Sequence, residues 1–161
     1  MMNVRIEQAT EKDVPLLLTL IRGLAEYERL ADSVSATEGR LSASLFGEHP
    51  YAEALIAYEH EKPVAYAIYF FTYSSFVGLP GLYLEDLFVL PDSRGSGIGR
   101  QLFTVLAKRA IERGCYRMEW AVLNWNEPAI RFYESLGAEP MNEWTVYRLS
   151  EKEMEILAGR W

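Results

Sequence analysis

The chain has little of what disulfide frameworks and metal centres are built from. Cys115 is its one cysteine, which excludes an internal disulfide, and the two separated histidines, His49 and His60, make no metal constellation, so no metal is expected. Cys115 follows Gly114 at an expected helix end, where it reads as a structural thiol rather than a nucleophile. Long apolar runs are also missing: none approaches the ~20 residues needed to span a membrane. The opening stretch, M-M-N-V-R-I-E, lacks the apolar core of a signal peptide, so a cytoplasmic location is expected. Cations are in deficit, with a formal net charge of -7. That balance argues against nucleic acid as a partner, because binding there is dominated by cationic contacts to phosphate, and it favours a cationic ligand instead.

What is present is an ordinary globular composition, 50% hydrophobic and 24% charged over 161 residues, enough for one domain over 1–161 with a two-layer core. No repeat, low-complexity tract or interdomain linker interrupts it. Val4 to Gln8 alternates like a first strand. Asp13 is placed to cap a helix running to about Tyr27, because Pro15 is tolerated only in a first turn and Leu16, Leu17, Leu20, Ile21 and Leu24 form an apolar stripe. Thr37 can cap a short second helix ending by Gly47. Ala54 to Glu59 and Val64 to Tyr73 read as a hairpin around Glu61-Lys62-Pro63, followed by a loop from Ser74 to Gly81 and a strand from Leu82 to Leu90. Beyond the central helix, which Gly114 stops, come a strand from Arg117 to Val122 and a helix capped by Asn126 and closed by Gly137. Thr145 to Leu149 reads as a last strand, and Ser150-x-x-Glu153 as the capping box of a terminal helix. The order predicts an α/β fold of the mixed α+β kind, with helices on both faces of the sheet.

The most informative stretch is L-Y-L-E-D-L-F-V-L-P-D-S-R-G-S-G-I-G-R, from Leu82 to Arg100. A strand is stopped by Pro91, glycines alternate at 95, 97 and 99, and Leu102, Val105, Leu106 and Ala110 then take up helical spacing. Glycines let successive backbone N–H groups converge, and the new helix adds unpaired first-turn donors and its positive dipole end, so the turn is a cradle for phosphate flanked by Arg94 and Arg100. It is not a nucleotide P-loop, which needs Gly-Lys-Ser/Thr where this chain has Gly99-Arg100-Gln101. A dinucleotide fingerprint fits poorly, because the third glycine falls one position early. The pattern that remains, Arg94-x-x-Gly97-x-Gly99 after a strand, resembles the pyrophosphate loop of the GNAT superfamily of N-acetyltransferases, which bind acetyl-CoA.

Acetylating an amine requires its neutral form, and for an alkylammonium only roughly one molecule in 2,500 is neutral at pH 7, a deficit of about 4.6 kcal/mol. A base is therefore useful. Glu85 and Asp86 interrupt an apolar strand, and alternation puts at least one of them against the core or in a pocket. Glu85 is the candidate proton relay, and Asp86 a candidate cation holder; two carboxylates satisfied by caps or an ion pair is the competing reading. Asn126 and Tyr133 lie seven apart on one helix face. Tyr133, neutral at pH 7, is a candidate general acid for the departing thiolate, against the plainer reading of a core-edge aromatic beside Phe132.

Segments across nearly the whole chain resemble the diamine acetyltransferases more narrowly, the spermidine/spermine and thialysine group. They are L-A-E-Y-E at 24–28, F-G-E-H-P at 46–50, Y-F-F-T-Y at 69–73, Y-L-E-D-L-F-V at 83–89, R-G-S-G-I-G at 94–99 and W-N-E-P-A-I-R-F-Y at 125–133. The resemblance implies a mostly antiparallel mixed sheet, splayed between the strands at 82–90 and 117–122 with acetyl-CoA in the gap, and a homodimer with two active sites near its interface. It implies main-chain contacts from Leu87, Phe88 and Val89 to the acetyl and pantetheine arm, and from Gly95, Ser96, Gly97, Ile98, Gly99 and Arg100 to the pyrophosphate. Asn126, Glu127, Pro128 and Ala129 would continue that site. Tyr133 falls on the family's proton donor, and Tyr27, Glu28 and Glu85 on amine-site positions, with Glu119, Trp120, Ala121 and Glu143 as further neighbours. Two departures bear on ligands: Ser74-Ser75-Phe76 stands where the group carries a tryptophan-bearing loop, and Leu136 replaces a basic cofactor contact. The expected activity is direct acetyl transfer to a primary amine of a small cation in a ternary complex. The alternatives are acetylation of a protein lysine or amino terminus, and a non-catalytic acetyl-CoA-binding module.

Overall fold

The computed structural model describes residues 3–160; Met1 and Met2, part of the opening stretch read above, and Trp161 lie outside them. The chain forms two compact units, Met1–Ala121 and Val122–Trp161. No helix among the described residues is long and apolar enough to cross a membrane.

The first unit is built on a five-stranded sheet whose spatial order is its chain order: β1 (Val4–Gln8), β2 (Glu53–Glu59), β3 (Lys62–Ser74), β4 (Leu79–Val89) and β5 (Met118–Glu119). The first four are antiparallel, and β5 joins β4 in parallel. Glu59 pairs with Lys62, so the β2–β3 turn consists of His60 and Glu61. Both take positive φ, 49° at His60 and 65° at Glu61, as two-residue turns matched to strand twist require. The turn therefore comes earlier than the proline at 63 suggested, and Pro63 begins the strand instead.

Helix α1 (Val14–Tyr27) and helix α2 (Glu38–Phe46) cover one face of the sheet. Leu17, Leu20 and Leu45 pack there with Ala54, Ile56, Tyr66, Ile68 and Phe88 of the strands. Helix α3 (Ile98–Glu112) packs on β3 and β4, and the Arg109–Tyr69 hydrogen bond sets it on the opposite face from Tyr66 and Ile68. The Thr37 hydroxyl accepts from Arg40 N at 3.1 Å, as its capping role predicts. Asp13 differs: its carboxylate accepts from Thr10 N at 2.8 Å, closing the short turn before α1 rather than capping α1 itself.

Two irregularities in β4 shape everything downstream. Ile68 pairs with Asp86 but Tyr69 pairs with Leu84, so Glu85 is the extra residue of a β-bulge. The ladder to β5 consists of two pairs, Leu82 with Met118 and Tyr83 with Glu119, and ends there. The strand predicted over 117–122 is thus only two residues long, and the sheet opens along β4 from Leu84 onward.

In the second unit, helix α4 (Glu127–Ser135) is capped by Asn126, whose Oδ1 accepts from Ala129 N at 3.4 Å, and helix α5 (Glu151–Leu157) by the Ser150 hydroxyl. The strand predicted over Thr145–Leu149 does not form. Its side chains are exposed, Val146 by 87% and Tyr147 by 92%, and alternation and β-propensity make no strand without a ladder and a face to pack on.

Gly23 lets α1 lie close to β4: a Cβ there would sit 3.0 Å from Phe88 Cε1. Leucine at this position gains about 0.8 kcal/mol in helix propensity over glycine, but overpacking a buried ring costs ~1–3 kcal/mol. Gly23→Leu is therefore expected to lower stability in urea unfolding; a rise in the midpoint would show that α1 and β4 are not in tight contact.

Candidate active site

The bulge at Glu85 re-aims both carboxylates of β4. Because paired residues share a face, Asp86 opposite Ile68 turns toward α1, whereas Leu84 opposite Tyr69 turns toward α3. Simple alternation would have put residues 84 and 86 on one face. Asp86 is half-buried, and Glu85 is exposed. Tyr66, completely buried on β3, donates its phenol hydrogen to Asp86 Oδ2 at 3.0 Å. Burial and the repulsion of Glu85 and Glu28 push the Asp86 carboxyl up to about 6, against the hydrogen bond from Tyr66, which lowers it. Burial pushes Tyr66 far up in turn, so its proton stays in place to be donated. Glu28, just past the last turn of α1, is also raised by burial. The sequence-predicted Glu28, Glu85 and Asp86 thus come together as a group of interacting carboxylates.

At the far end of β4 the predicted loop takes a form that requires glycine. Gly95 and Gly97 have φ of 79° and 88°, and an added Cβ at either would meet nothing within 4 Å. Conformation, not crowding, demands them, and the space above them is open. Gly97 is the residue before α3, so the N–H groups of Ile98, Gly99 and Arg100 belong to the helix's first turn, at its positive dipole end. The Ser96 hydroxyl donates to Ser93 O at 2.7 Å, fixing the loop's start. Arg94 folds back: its Nε donates to Val89 O at 2.9 Å, and its guanidinium lies 4.7 Å from the Tyr27 ring centroid and 5.4 Å from that of Phe88. It ties the loop to α1 and brings Tyr27, Phe88 and Arg94 together. Leu87 and Val89 are half-buried beside the opened edge.

The remaining predicted residues have plainer surroundings. The Glu119 carboxylate pairs with Arg117 at 2.8 Å, and the Trp120 ring packs edge-on against Phe103 at 4.9 Å. Ala121 is exposed at the end of the first unit. Asn126, Glu127, Pro128, Ala129 and Tyr133 belong to the second unit, where Asn126 is buried and the Tyr133 ring is 5.8 Å from that of Phe132. Glu143 is exposed on a turn.

Tyr66 was absent from the sequence-derived site. In the run P-V-A-Y-A-I-Y-F-F it reads as a core aromatic, and the signal that could have found it is that a buried tyrosine hydroxyl needs a partner. That partner comes only from register: Tyr66 pairs with Phe88 and Ile68 with Asp86, so Tyr66 and Asp86 are diagonal neighbours on one face.

Comparison with known proteins agrees with this geometry. Residues 21–138 match the acetyltransferase (GNAT) family. The chain is 39% identical to the thialysine N-epsilon-acetyltransferase of Bos taurus, covering 98% of each chain. It is 34% identical to a human spermidine/spermine N(1)-acetyltransferase-like protein, over 96% of this chain and 24% of that one. Among solved structures, an integron cassette protein from the mobile metagenome of V. cholerae superposes with a TM-score of 0.81 at 31% identity, covering 98% of this chain and 99% of that one. With a sheet opened beside β4, a glycine loop leading into α3 and a family match across most of its length, the chain belongs to the acetyltransferase (GNAT) family.

Proposed function

We propose that the enzyme transfers the acetyl group of acetyl-CoA to a primary amine of a small, cationic, lysine-like or diamine substrate, by direct attack in a ternary complex. The observation that carries this reading is the carboxylate group Glu28, Glu85 and Asp86, set on and beside the strand whose edge opens toward the glycine loop. Such a field favours an extended cation over a neutral arylamine. Relatives named for thialysine support the same class. The residues present suit acetyl-CoA: Leu87, Phe88 and Val89 offer main chain along an unladdered edge, and Gly95 to Arg100 offer convergent N–H donors under open space. When bound, acetyl-CoA supplies the acetyl group as an activated thioester.

Within this reading Glu85, exposed on its bulge, takes the proton of the attacking ammonium, directly or through water, and Asp86 with Glu28 holds the cation. Tyr133 holds a phenol proton for the departing sulfur. Asn126 to Ala129 continue the cofactor site, with Tyr27 and Glu119 to Ala121 and Glu143 bordering the amine. The two units act as one acetyltransferase domain, a reading supported by a family match that runs across their boundary. The exposed apolar side chains Trp144, Val146 and Tyr147 support a homodimer; sedimentation as a monomer at micromolar concentration would exclude it.

The test is acetylation by the full chain, followed by mass spectrometry, of thialysine, lysine, diamines, polyamines, a peptide amino terminus and a neutral arylamine. Cationic small amines are expected to be preferred. Equal efficiency on the arylamine overturns the substrate class, and preference for the peptide would favour a protein acetyltransferase.

Two variants test the machinery. Tyr133→Phe keeps the ring and removes the donor, so turnover should fall ~100- to 10,000-fold with the fold unchanged; near-normal turnover under chemistry-limited conditions would make Tyr133 a packing residue. Gly97→Ala puts a methyl group into open space over the loop, in a backbone conformation costing ~1–2 kcal/mol. Calorimetry should show acetyl-CoA affinity reduced on the order of tenfold or more. Unchanged affinity would move the pyrophosphate site elsewhere.

A further inference from the structure

We propose that Tyr66 is a positioning residue of the amine site: its buried phenol fixes Asp86 through Oδ2 and leaves Oδ1 to accept the substrate ammonium, which is the missing counter-charge of the carboxylate group. This rests on the amine-acetylating function proposed above and adds a residue and a pH dependence to it.

Three observations lead there. The bulge at Glu85 turns Asp86 onto the α1 face, where its carboxylate is half-buried while Glu85 is exposed. On that face Tyr66 lies diagonally across the ladder, completely buried, with its hydroxyl 3.0 Å from Asp86 Oδ2. A buried phenol bonded to one carboxylate oxygen sets the plane of the carboxyl group, so the direction in which its other oxygen accepts is built into the sheet. The ionisable groups acting on Asp86 are Tyr66 from β3, Glu28 from the end of α1 and Glu85 from β4 itself. Two of these are carboxylates that disfavour its charge. Arg94, the nearby cation on that face, is committed to Val89 O and the rings of Tyr27 and Phe88. A charge-bearing substrate thus gains more from binding here than a neutral one does.

The sign of the pH effect follows. Asp86, with its carboxyl pushed up to about 6, is mostly charged at pH 7 and mostly neutral at pH 5. Cation binding therefore weakens as pH falls through about 6. Removing the Tyr66 donor takes away the interaction that favours the charged form, so the transition moves up. Removing the Glu28 charge takes away a repulsion, so it moves down.

The test is a carbon-NMR titration of the full-length protein labelled at aspartate side chains, with Asp86 assigned by its loss in Asp86→Asn. Tyr66→Phe should raise the Asp86 midpoint by on the order of one pH unit, Glu28→Gln should lower it, and saturating 1,4-diaminobutane should lower it in the wild-type protein. In kinetics, Tyr66→Phe should raise KM for a diamine several-fold at pH 6 with much less effect at pH 8, leaving KM for acetyl-CoA unchanged. A merely structural Tyr66 would move neither the midpoint nor the pH dependence of KM, and an unmoved midpoint in the folded Tyr66→Phe protein overturns the inference. So does a midpoint insensitive to diaminobutane in an enzyme that acetylates it, which leaves the proposed function standing. Midpoints that move as expected in a protein that acetylates no amine support the role of Tyr66 in cation binding and overturn the proposed function.

Discussion

A strand inside a sheet must satisfy hydrogen-bonding groups on both edges, and among the described residues β4 has a strand partner on only one edge beyond Tyr83. The antiparallel ladder to β3 holds it in place, while the parallel ladder to β5 stops after two pairs. The main chain from Leu84 to Val89 is thereby held by β3 along one side and, among the described residues, has no strand along the other. An extended ligand arm that bonds main chain finds there what an added strand would find. The glycine loop and the first turn of α3 follow directly from the end of that strand, so the position of one is fixed by the other.

Along the same strand, side chain and main chain divide their tasks. Phe88 puts its ring into the core with Leu17, Leu20 and Ile56 while its backbone borders the opened edge. Arg94 anchors the strand's end to α1 through Val89 O and the Tyr27 ring. The parts of β4 that a ligand would touch are thus held by contacts on the opposite side, and this gives a binding edge its rigidity.

Electrostatics separates the two ends of the strand. An acidic chain can hold an anionic cofactor only by local means, and under the proposed function the loop would supply them as backbone N–H groups and a helix dipole, with no need of net positive charge. Near the bulge the opposite condition holds, with Glu28, Glu85 and Asp86 acting on one another. Neutralising an alkylammonium at pH 7 costs about 4.6 kcal/mol. Under the proposed function a carboxylate cluster would stabilise the cation on arrival and offer an acceptor for its proton, so binding and deprotonation would draw on the same groups.

Much of this was legible in the residues themselves. Glycines at 95 and 97 signal positive φ, and Thr37 and Asn126 signal helix starts, because each is a local preference carried by one or two side chains. The strand read over 145–149 failed because a strand exists only through its neighbour, and no local pattern supplies one. The division of labour between Glu85 and Asp86 was equally hidden, since alternation assumes an unbroken pleat and the bulge breaks it. Tyr66 lay out of view for the same reason: its partner is twenty residues away and meets it only through the register of β3 on β4. The sequence by itself determined the chemistry available along β4 and in its loop; tertiary structure decided which carboxylate is buried and which phenol holds it, because pairing register and strand irregularity are properties of two strands together.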